Sequence, residues 1–435
     1  MKKSLLFSAW ILIILGVSAQ TPKPLVITEN THFVVLPNDC ESISWLEDGI
    51  WSVERYNKYA FYNEQGKRIF DFEWEAGSGF RTPQMVGGAV LMYKKGEVNS
   101  QKPMWLLKSD GTSKALPAEY VGPATNFVDG VALIGKKKSS GYGVEYVYIN
   151  LNGQRVYGTL TSSPERFERT NWTVPPLRDG LRAFKQLNPS GFGGKWGYID
   201  ANGKVVIPAR YDECRSFSEG YALVREDREL YFIDKNGNKA IDPIWDDDTY
   251  FNDISDVHNG YFVVSYNPRK YFNTKGDLVK KLPGGSAFYN GYCFAEDETP
   301  YNGKSRVFDK DFNLVRTIPE VDLWWNDEGN APIFTPAGVA TVKRDRVISP
   351  DGITLIQHSP VTKKSPNRNG IEYFSPSGFA KAWLVHNGET YEGFINLNGE
   401  FVLIYRWNRE VVPIVNDPNN PSPCDTCKIF PNPVR

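Results

Sequence analysis

Apolar and polar residues alternate along this chain in short runs, and the runs recur. An aromatic or apolar residue, a short acidic or polar step and a glycine precede each strand-like stretch. Trp45-Leu-Glu-Asp-Gly49 leads into Ile50-Trp51, Phe127-Val-Asp-Gly130 into Val131-Ala132-Leu133, and Arg178-Asp179-Gly180 into Leu181-Arg182-Ala183. Phe217-Ser-Glu-Gly220 leads into Tyr221-Ala222-Leu223-Val224, and His258-Asn259-Gly260 into Tyr261-Phe262-Val263. Phe288-Tyr-Asn-Gly291, Phe334-Thr-Pro-Ala-Gly338 and Phe374-Ser-Pro-Ser-Gly378 continue the series, and Gly88-Ala89-Val90 is a weaker member. The nine anchor glycines recur every 41 residues or so, about the period of propeller-type repeats.

A second element follows each first one: a strand ending in Asp or Asn, then a turn that usually closes on Gly. Tyr198-Ile199-Asp200-Ala-Asn-Gly203, Phe232-Ile233-Asp234-Lys-Asn-Gly237 and Phe394-Ile395-Asn396-Leu-Asn-Gly399 are clear examples, and Asp309-Lys-Asp-Phe-Asn313 is a looser one. An Asp or Asn side chain bonds its own backbone two residues on, and Asn-Gly supplies the positive φ of a tight hairpin. A short strand such as Val205-Val206-Ile207 then pairs back, and Pro208 ends it because proline cannot donate to a ladder. Three or four such strands cannot bury their own faces, so neighbouring units must stack. The expected fold is all-β: about nine hairpin repeats in a β-propeller-like array, with an open β-solenoid as the alternative. Nine exceeds the usual four to eight blades, so either the terminal units act as caps or the array does not close as one ring. The strand His32-Phe33-Val34-Val35-Leu36 is a candidate to pair with Phe401–Tyr405 and close a ring, covering two exposed edges.

The stretch Gly194-Lys195-Trp196-Gly197-Tyr198-Ile199-Asp200, then Gly203, Pro208, Tyr211-Asp212 and Phe217-Ser218-Glu219-Gly220, resembles the bacterial WG-repeat family. The repeat-signature residues are therefore Trp196, Gly197, Asp200, Gly203, Pro208, Tyr211, Phe217 and Gly220. The likeness covers residues 40–405 but fades outside this unit: Leu230-Tyr231 stands where the next Trp-Gly would be, and Glu392-Gly393 keeps only the glycine. It implies an exported or surface-associated repeat protein with a binding role, and it carries no catalytic residues to transfer.

The ends of the chain suggest an address. Lys2 and Lys3, the apolar run Leu5 to Val17 and the small residues Val17-Ser18-Ala19 read as a secretory signal peptide over residues 1–19. Thirteen apolar residues are too few for a membrane-spanning helix. No later segment approaches such a span. The mature protein is expected to be secreted or held at the cell surface, with a periplasmic location also open. The repeat domain is placed at residues 20–410 and a Pro/Asn-rich tail at 411–435. Within the tail, Lys428-Ile429-Phe430-Pro431-Asn432-Pro433-Val434 is similar to the opening of the C-terminal sorting domain of type IX secretion, which ordinarily continues for some tens of residues.

Composition narrows the chemistry. A net charge of −1 over 435 residues lacks the basic field of a nucleic-acid binder. The four histidines, His32, His258, His358 and His386, fall in different repeats, with no Gly-x-Ser-x-Gly elbow. Cys40, Cys214 and Cys293 are widely spaced, and Cys424-Asp-Thr-Cys427 lies in the tail as a local disulfide or a plain pair of thiols. Asp309-Lys-Asp311-Phe-Asn313 places oxygens at alternate positions, as calcium loops do, yet reads better as a hairpin turn. No metal site and no cofactor are therefore expected. Most aromatic residues are locked to the repeat and belong to packing between units. The off-pattern tryptophans Trp324, Trp325, Trp172 and Trp383 are the candidates for an exposed ligand platform suited to glycans or peptides. The expected function is non-catalytic binding or scaffolding, with a protein, a surface glycan or cell-envelope material as ligand. A propeller-type hydrolase acting on glycans through paired carboxylates is the alternative.

Overall fold

Two kinds of turn build every unit. At the anchor turn of most units the residue before the glycine also enters the left-handed region, as at Asp48 (φ 49°), Asp129 (φ 48°) and Glu219 (φ 52°), followed by Gly49, Gly130 and Gly220; at Gly338 and Gly378 only the glycine does. Two successive left-handed residues make the tight two-residue hairpin whose twist suits antiparallel strands. In unit 4, the Asp200 carboxylate accepts from the backbone N–H groups of Asn202 and Lys204, both at 2.9 Å, before Gly203 turns at φ 80°. The same side-chain cap recurs at Asp234, Asn273, Asp309 and Asn396. In unit 7 Phe312 holds the glycine's position at φ 61°, and its ring packs on Tyr261, Tyr271 and Phe288.

The computed structural model describes residues 21–76, 83–98, 102–139, 144–158, 160–162, 165–167, 170–188, 193–243, 249–264, 268–296, 304–319, 334–342, 345–358, 370–386 and 389–407. These form two- to four-stranded sheets and one seven-stranded sheet in which Arg68–Glu75 pairs with Ala89–Lys94, all antiparallel except where Val26–Leu36 joins Glu400–Trp407, with one turn of 3-10 helix at Phe251–Asp253. No helix among them is long and apolar enough to cross a membrane.

Nine units follow in order. Unit 1 comprises Ser42–Ile43, Ile50–Arg55, Lys58–Asn63 and Arg68–Glu75; unit 2, Ala89–Lys94, Trp105–Lys108 and Ser113–Ala115; unit 3, Tyr120–Ala124, Val131–Lys137 and Val144–Asn150. The hairpin Glu165–Phe167/Thr170–Thr173 intervenes. Unit 4 comprises Leu177–Arg178, Leu181–Leu187, Gly194–Asp200 and Val205–Tyr211; unit 5, Glu213–Cys214, Ala222–Glu226, Glu229–Ile233 and Lys239–Ile241. Unit 6 has Tyr261–Val264, Arg269–Asn273 and Leu278–Leu282; unit 7, Tyr292–Glu296, Lys304–Asp309 and Leu314–Pro319. Unit 8 has Ala340–Val342, Arg346–Ile348 and Thr354–Gln357, and unit 9 has Ala380–His386, Glu389–Ile395 and Glu400–Trp407.

The core lies between the sheets. Units 4 and 5 share Tyr198, Tyr211, Phe217, Val224 and Ile233; units 5 and 6 share Phe232, Ile241, Phe262 and Phe272. The series returns to its start, because Trp51, Val53 and Tyr62 of unit 1 pack with Phe394, Leu403 and Tyr405 of unit 9. Trp51 lies 4.7 Å from Tyr62 and 5.7 Å from Phe394, ring centre to ring centre. The array is a propeller-like ring of nine units, and neither terminal unit is a cap.

A strand from the beginning of the chain seals the closure. Val26–Leu36, the strap, lies parallel to Glu400–Trp407, with His32 opposite Leu403, Phe33 opposite Ile404 and Val34 opposite Tyr405. Three residues earlier, Lys23 forms a parallel bridge to Ile356 of unit 8. Its amide donates to the Leu355 carbonyl, and its carbonyl accepts from the Gln357 amide. The Thr31 hydroxyl donates to the Phe401 carbonyl at 2.7 Å. The strap thus caps the outer edges of the last two units and then enters unit 1.

Candidate binding surfaces

The acidic residue of the anchor turn reaches forward to the next unit. The Asp48 carboxylate accepts from the Gly87 amide at 2.8 Å, Asp179 from Gly220 at 2.7 Å, and Glu219 from both Asn259 and Gly260 at 2.6 and 2.8 Å. Asn259 passes the pattern on to Gly291 at 3.0 Å, and Asp129 bonds Leu177 of the following unit at 2.7 Å. Across the closure, the Ser377 hydroxyl donates to Glu47 and accepts from the Asp48 amide. These side chains register one turn against the next, which gives the acidic step of the sequence pattern a structural cause. Glu219→Ala is expected to destabilise the protein by about 1–2 kcal/mol, since two amides lose a charged acceptor. Urea unfolding would read this, and an unchanged midpoint would show that solvent replaces the carboxylate at no cost.

Sequence reasoning missed a second recurring group. Ser44, Thr125, Ser255 and Ser286 each stand five residues before an anchor glycine. Each accepts a hydrogen bond from the amide eight residues on, at 2.7, 3.0, 2.9 and 2.9 Å. Counting back from the glycines would have revealed them. Units 4 and 9 use a long cation instead. Buried Arg182 donates to the Pro175 carbonyl at 2.6 Å and reaches toward Val128 and Asp129. Lys381 donates to the Ile43 carbonyl across the closure. Burial pushes the Lys381 ammonium below its usual range, while nearby Glu372 and Glu392 push the other way.

The signature residues are parts of this packing. Trp196 is buried, with the Lys185 ammonium 5.7 Å from its ring centre. Tyr198, Tyr211 and Phe217 are fully buried neighbours, and the Tyr198 hydroxyl donates to the Arg215 carbonyl at 2.7 Å. Gly197 lies where the outer strand bulges around Pro208, and a Cβ there would sit 2.6 Å from the Ile207 carbonyl oxygen. Asp200 and Gly203 form the second turn, and Gly220 the anchor turn.

The proposed platform is only partly within view. Trp324 and Trp325 lie outside the described residues, as do Cys424 and Cys427. Trp172 lies on the strand Thr170–Thr173, and its side chain is likewise outside them. Trp383 is half-buried in Ala380–His386 opposite Glu392, with its amide bonded to the Gly370 carbonyl. The structure exposes a different pair: Trp45 of unit 1 is 37 % exposed and Tyr373 of unit 9 is 39 % exposed. Each immediately precedes the buried aromatic or apolar residue of its anchor turn, Leu46 and Phe374, and the Ser375 hydroxyl bonds the Leu46 carbonyl at 3.1 Å. Both aromatics therefore border the same closure. Trp45 also lines a narrow crevice together with Glu47 and Gln84.

The calcium reading of unit 7 gives way to turn chemistry. Asp309 caps the amides of Asp311 and Asn313, and the sixth position, where such loops need glycine, is Leu314 at the start of a strand. Among the described residues no group of three or more His, Cys, Asp or Glu is arranged to hold a metal ion. Cys40, Cys214 and Cys293 are free thiols; burial pushes Cys40 up to about 11 and Cys293 up to about 12, so both stay protonated at neutral pH.

Comparison with known proteins places a WG containing repeat at residues 196–228. No curated protein matches the chain. Among solved structures, a eukaryotic initiation factor is similar over 86 % of this chain and 91 % of its own, at 11 % identity and a TM-score of 0.43. Hsv2p of Kluyveromyces lactis is similar over 65 % of this chain and 99 % of its own, at 10 % identity and a TM-score of 0.30. Porphyromonas gingivalis dipeptidyl peptidase 4 is similar over 64 % of this chain and 59 % of its own, at 11 % identity and a TM-score of 0.32.

Proposed function

We propose that this is an exported, non-catalytic binding or scaffolding protein whose ligand is a protein, a surface glycan or cell-envelope material. The signal-like segment at residues 1–19 supports export. The observation that carries the binding role is the exposure of two aromatics that border the ring closure, Trp45, which lines a crevice with Glu47 and Gln84, and Tyr373. Aromatic faces next to a carboxylate and an amide suit a sugar ring or a peptide, since each offers an apolar face and polar edges. The anchor-turn carboxylates Asp48, Asp179 and Glu219 serve backbone amides, which gives them a structural role apart from acid–base chemistry.

Glycan and peptide arrays probed with the purified protein test this reading. Binding that falls at least about tenfold in the Trp45→Ala, Tyr373→Ala double variant supports it. Turnover of a polysaccharide abolished by a single Asp or Glu substitution would replace it with a glycan-active enzyme.

A further inference from the structure

The strap shows what fits on the outside of a unit. It lies along the outer strand of unit 9, immediately after the second turn, where Phe401 and Val402 stand two and three residues beyond Gly399. Under the strap Phe401 is 1 % exposed. The same two positions in units 4, 6 and 7 are also apolar and β-prone: Val205-Val206, Leu278-Val279 and Leu314-Val315. Each pair opens the outermost strand of its sheet, and among the described residues no further strand pairs with it. All six side chains stand 39–55 % exposed. Units 1, 2 and 5 place Arg68, Lys114 and Lys239 at these positions. Charges of this kind are a usual way to discourage strand pairing on an edge. The guarded and unguarded units therefore differ at the very positions that the strap covers in unit 9.

We infer that the outer edges of units 4, 6 and 7 are docking sites for an extended segment of a partner protein, added to each sheet as the strap is added to unit 9. Main-chain hydrogen bonds would supply affinity, and the exposed apolar pair would select side chains at alternate positions. The strap indicates the required chemistry: its central run His32-Phe33-Val34-Val35-Leu36 has no Asp, Glu, Lys or Arg, and its flank carries Glu29. Lys204 precedes the pair in unit 4 and Arg316 follows it in unit 7; in unit 6 Asp277 precedes the pair, and Lys280 and Lys281 follow it on the same edge strand. A β-branched or aromatic segment with an acidic flank therefore matches the edges of units 4 and 7 better than that of unit 6. A second copy of this chain is a poorer occupant, because its strap is held on its own unit 9 by intramolecular pairing.

This inference rests on the binding role proposed above but uses different residues, so the two fail separately. A labelled peptide spanning residues 24–37 would be titrated into the full-length protein by fluorescence anisotropy. Saturable binding is expected, with the stoichiometry reduced by one site in the Val205→Lys/Val206→Lys variant. The combined variant, with Leu278, Val279, Leu314 and Val315 also changed to Lys, should bind at least about tenfold more weakly. These side chains are exposed, and an unchanged circular dichroism spectrum confirms the fold. Retention of full affinity by the combined variant would overturn the inference. So would binding seen only after the protein's own strap is deleted, since the peptide would then be refilling unit 9. Concentration-dependent self-association removed by the same substitutions would assign the edges to a second copy instead.

Discussion

Deleting residues 21–36 is expected to open the ring and to be the most damaging small truncation of the protein. Leu36 is fully buried, the Thr31 hydroxyl satisfies a carbonyl of the last strand, and Phe401, Leu403 and Tyr405 all lie in the strand that the strap covers. Losing one fully buried leucine and part of the cover over three large apolar side chains costs about 5 kcal/mol. Urea unfolding should show a clearly lower midpoint, and limited proteolysis should cut first near unit 9. Supplying the strap as a peptide in trans should recover part of the loss. A midpoint within error of the intact protein would mean that the packing of Trp51 against Phe394 closes the ring unaided.

Gly393→Ala should have the next largest effect. A Cβ there would sit 2.0 Å from the Leu403 carbonyl oxygen and 3.0 Å from the Leu403 carbonyl carbon and the Ile404 Cα. The obstacle is backbone in the strand that also carries the strap, so no side chain can rotate away. Overpacking of this kind costs about 3 kcal/mol or more when the backbone itself must move. Gly130→Ala is the control: nothing lies within 4 Å of its Cβ, and only its φ of 78° opposes the change, at about 1–2 kcal/mol. Thermal unfolding of both variants should rank them in that order; equal loss would show that strand spacing relaxes more freely than the distances imply.

The same position is one at which the sequence signature fades. Gly197 and Gly393 occupy one position of the repeat, and in both units the outer strand is long enough to run past it: Val205–Tyr211 and Glu400–Trp407. In unit 5 Tyr231 stands there instead, and the outer strand is only Lys239–Ile241. With that strand cut short, the tyrosine ring has room and carries the Lys239 ammonium 4.7 Å from its centre. Strand length alone does not dictate the residue, because Ala60 holds the same position in unit 1 beside the eight-residue outer strand Arg68–Glu75. Periodicity made the nine units and their turn chemistry legible; the candidate partner strand for residues 32–36 was right, but its register is 403–407 rather than 401–405. Positive φ at both glycine series has a local cause that one sequence displays.

The candidate binding surface was less legible, for a physical reason. Tryptophans that break the repeat were expected to be exposed, but Trp383 is half-buried on a strand of unit 9. Trp45 was read as part of an anchor turn, yet it projects because Leu46 takes the core position beside it. Exposure here depends on which of two adjacent apolar residues turns inward, and an alternating pattern alone does not decide that. The buried hydroxyls at Ser44, Thr125, Ser255 and Ser286 were overlooked for a related reason: serine and threonine are common in loops, and only their fixed distance from the glycine marks them.

The parallel lie of the strap has a consequence for biogenesis. Its partner, Glu400–Trp407, is the last described strand of the ring to be synthesised, so residues 21–36 have no seat until unit 9 has been made. Throughout synthesis of the repeats the nascent chain carries an unpaired, β-prone ribbon ahead of unit 1. Anything that shields that ribbon until the final repeat emerges should raise the yield of folded molecules, whereas a pause late in synthesis should favour aggregates over rings.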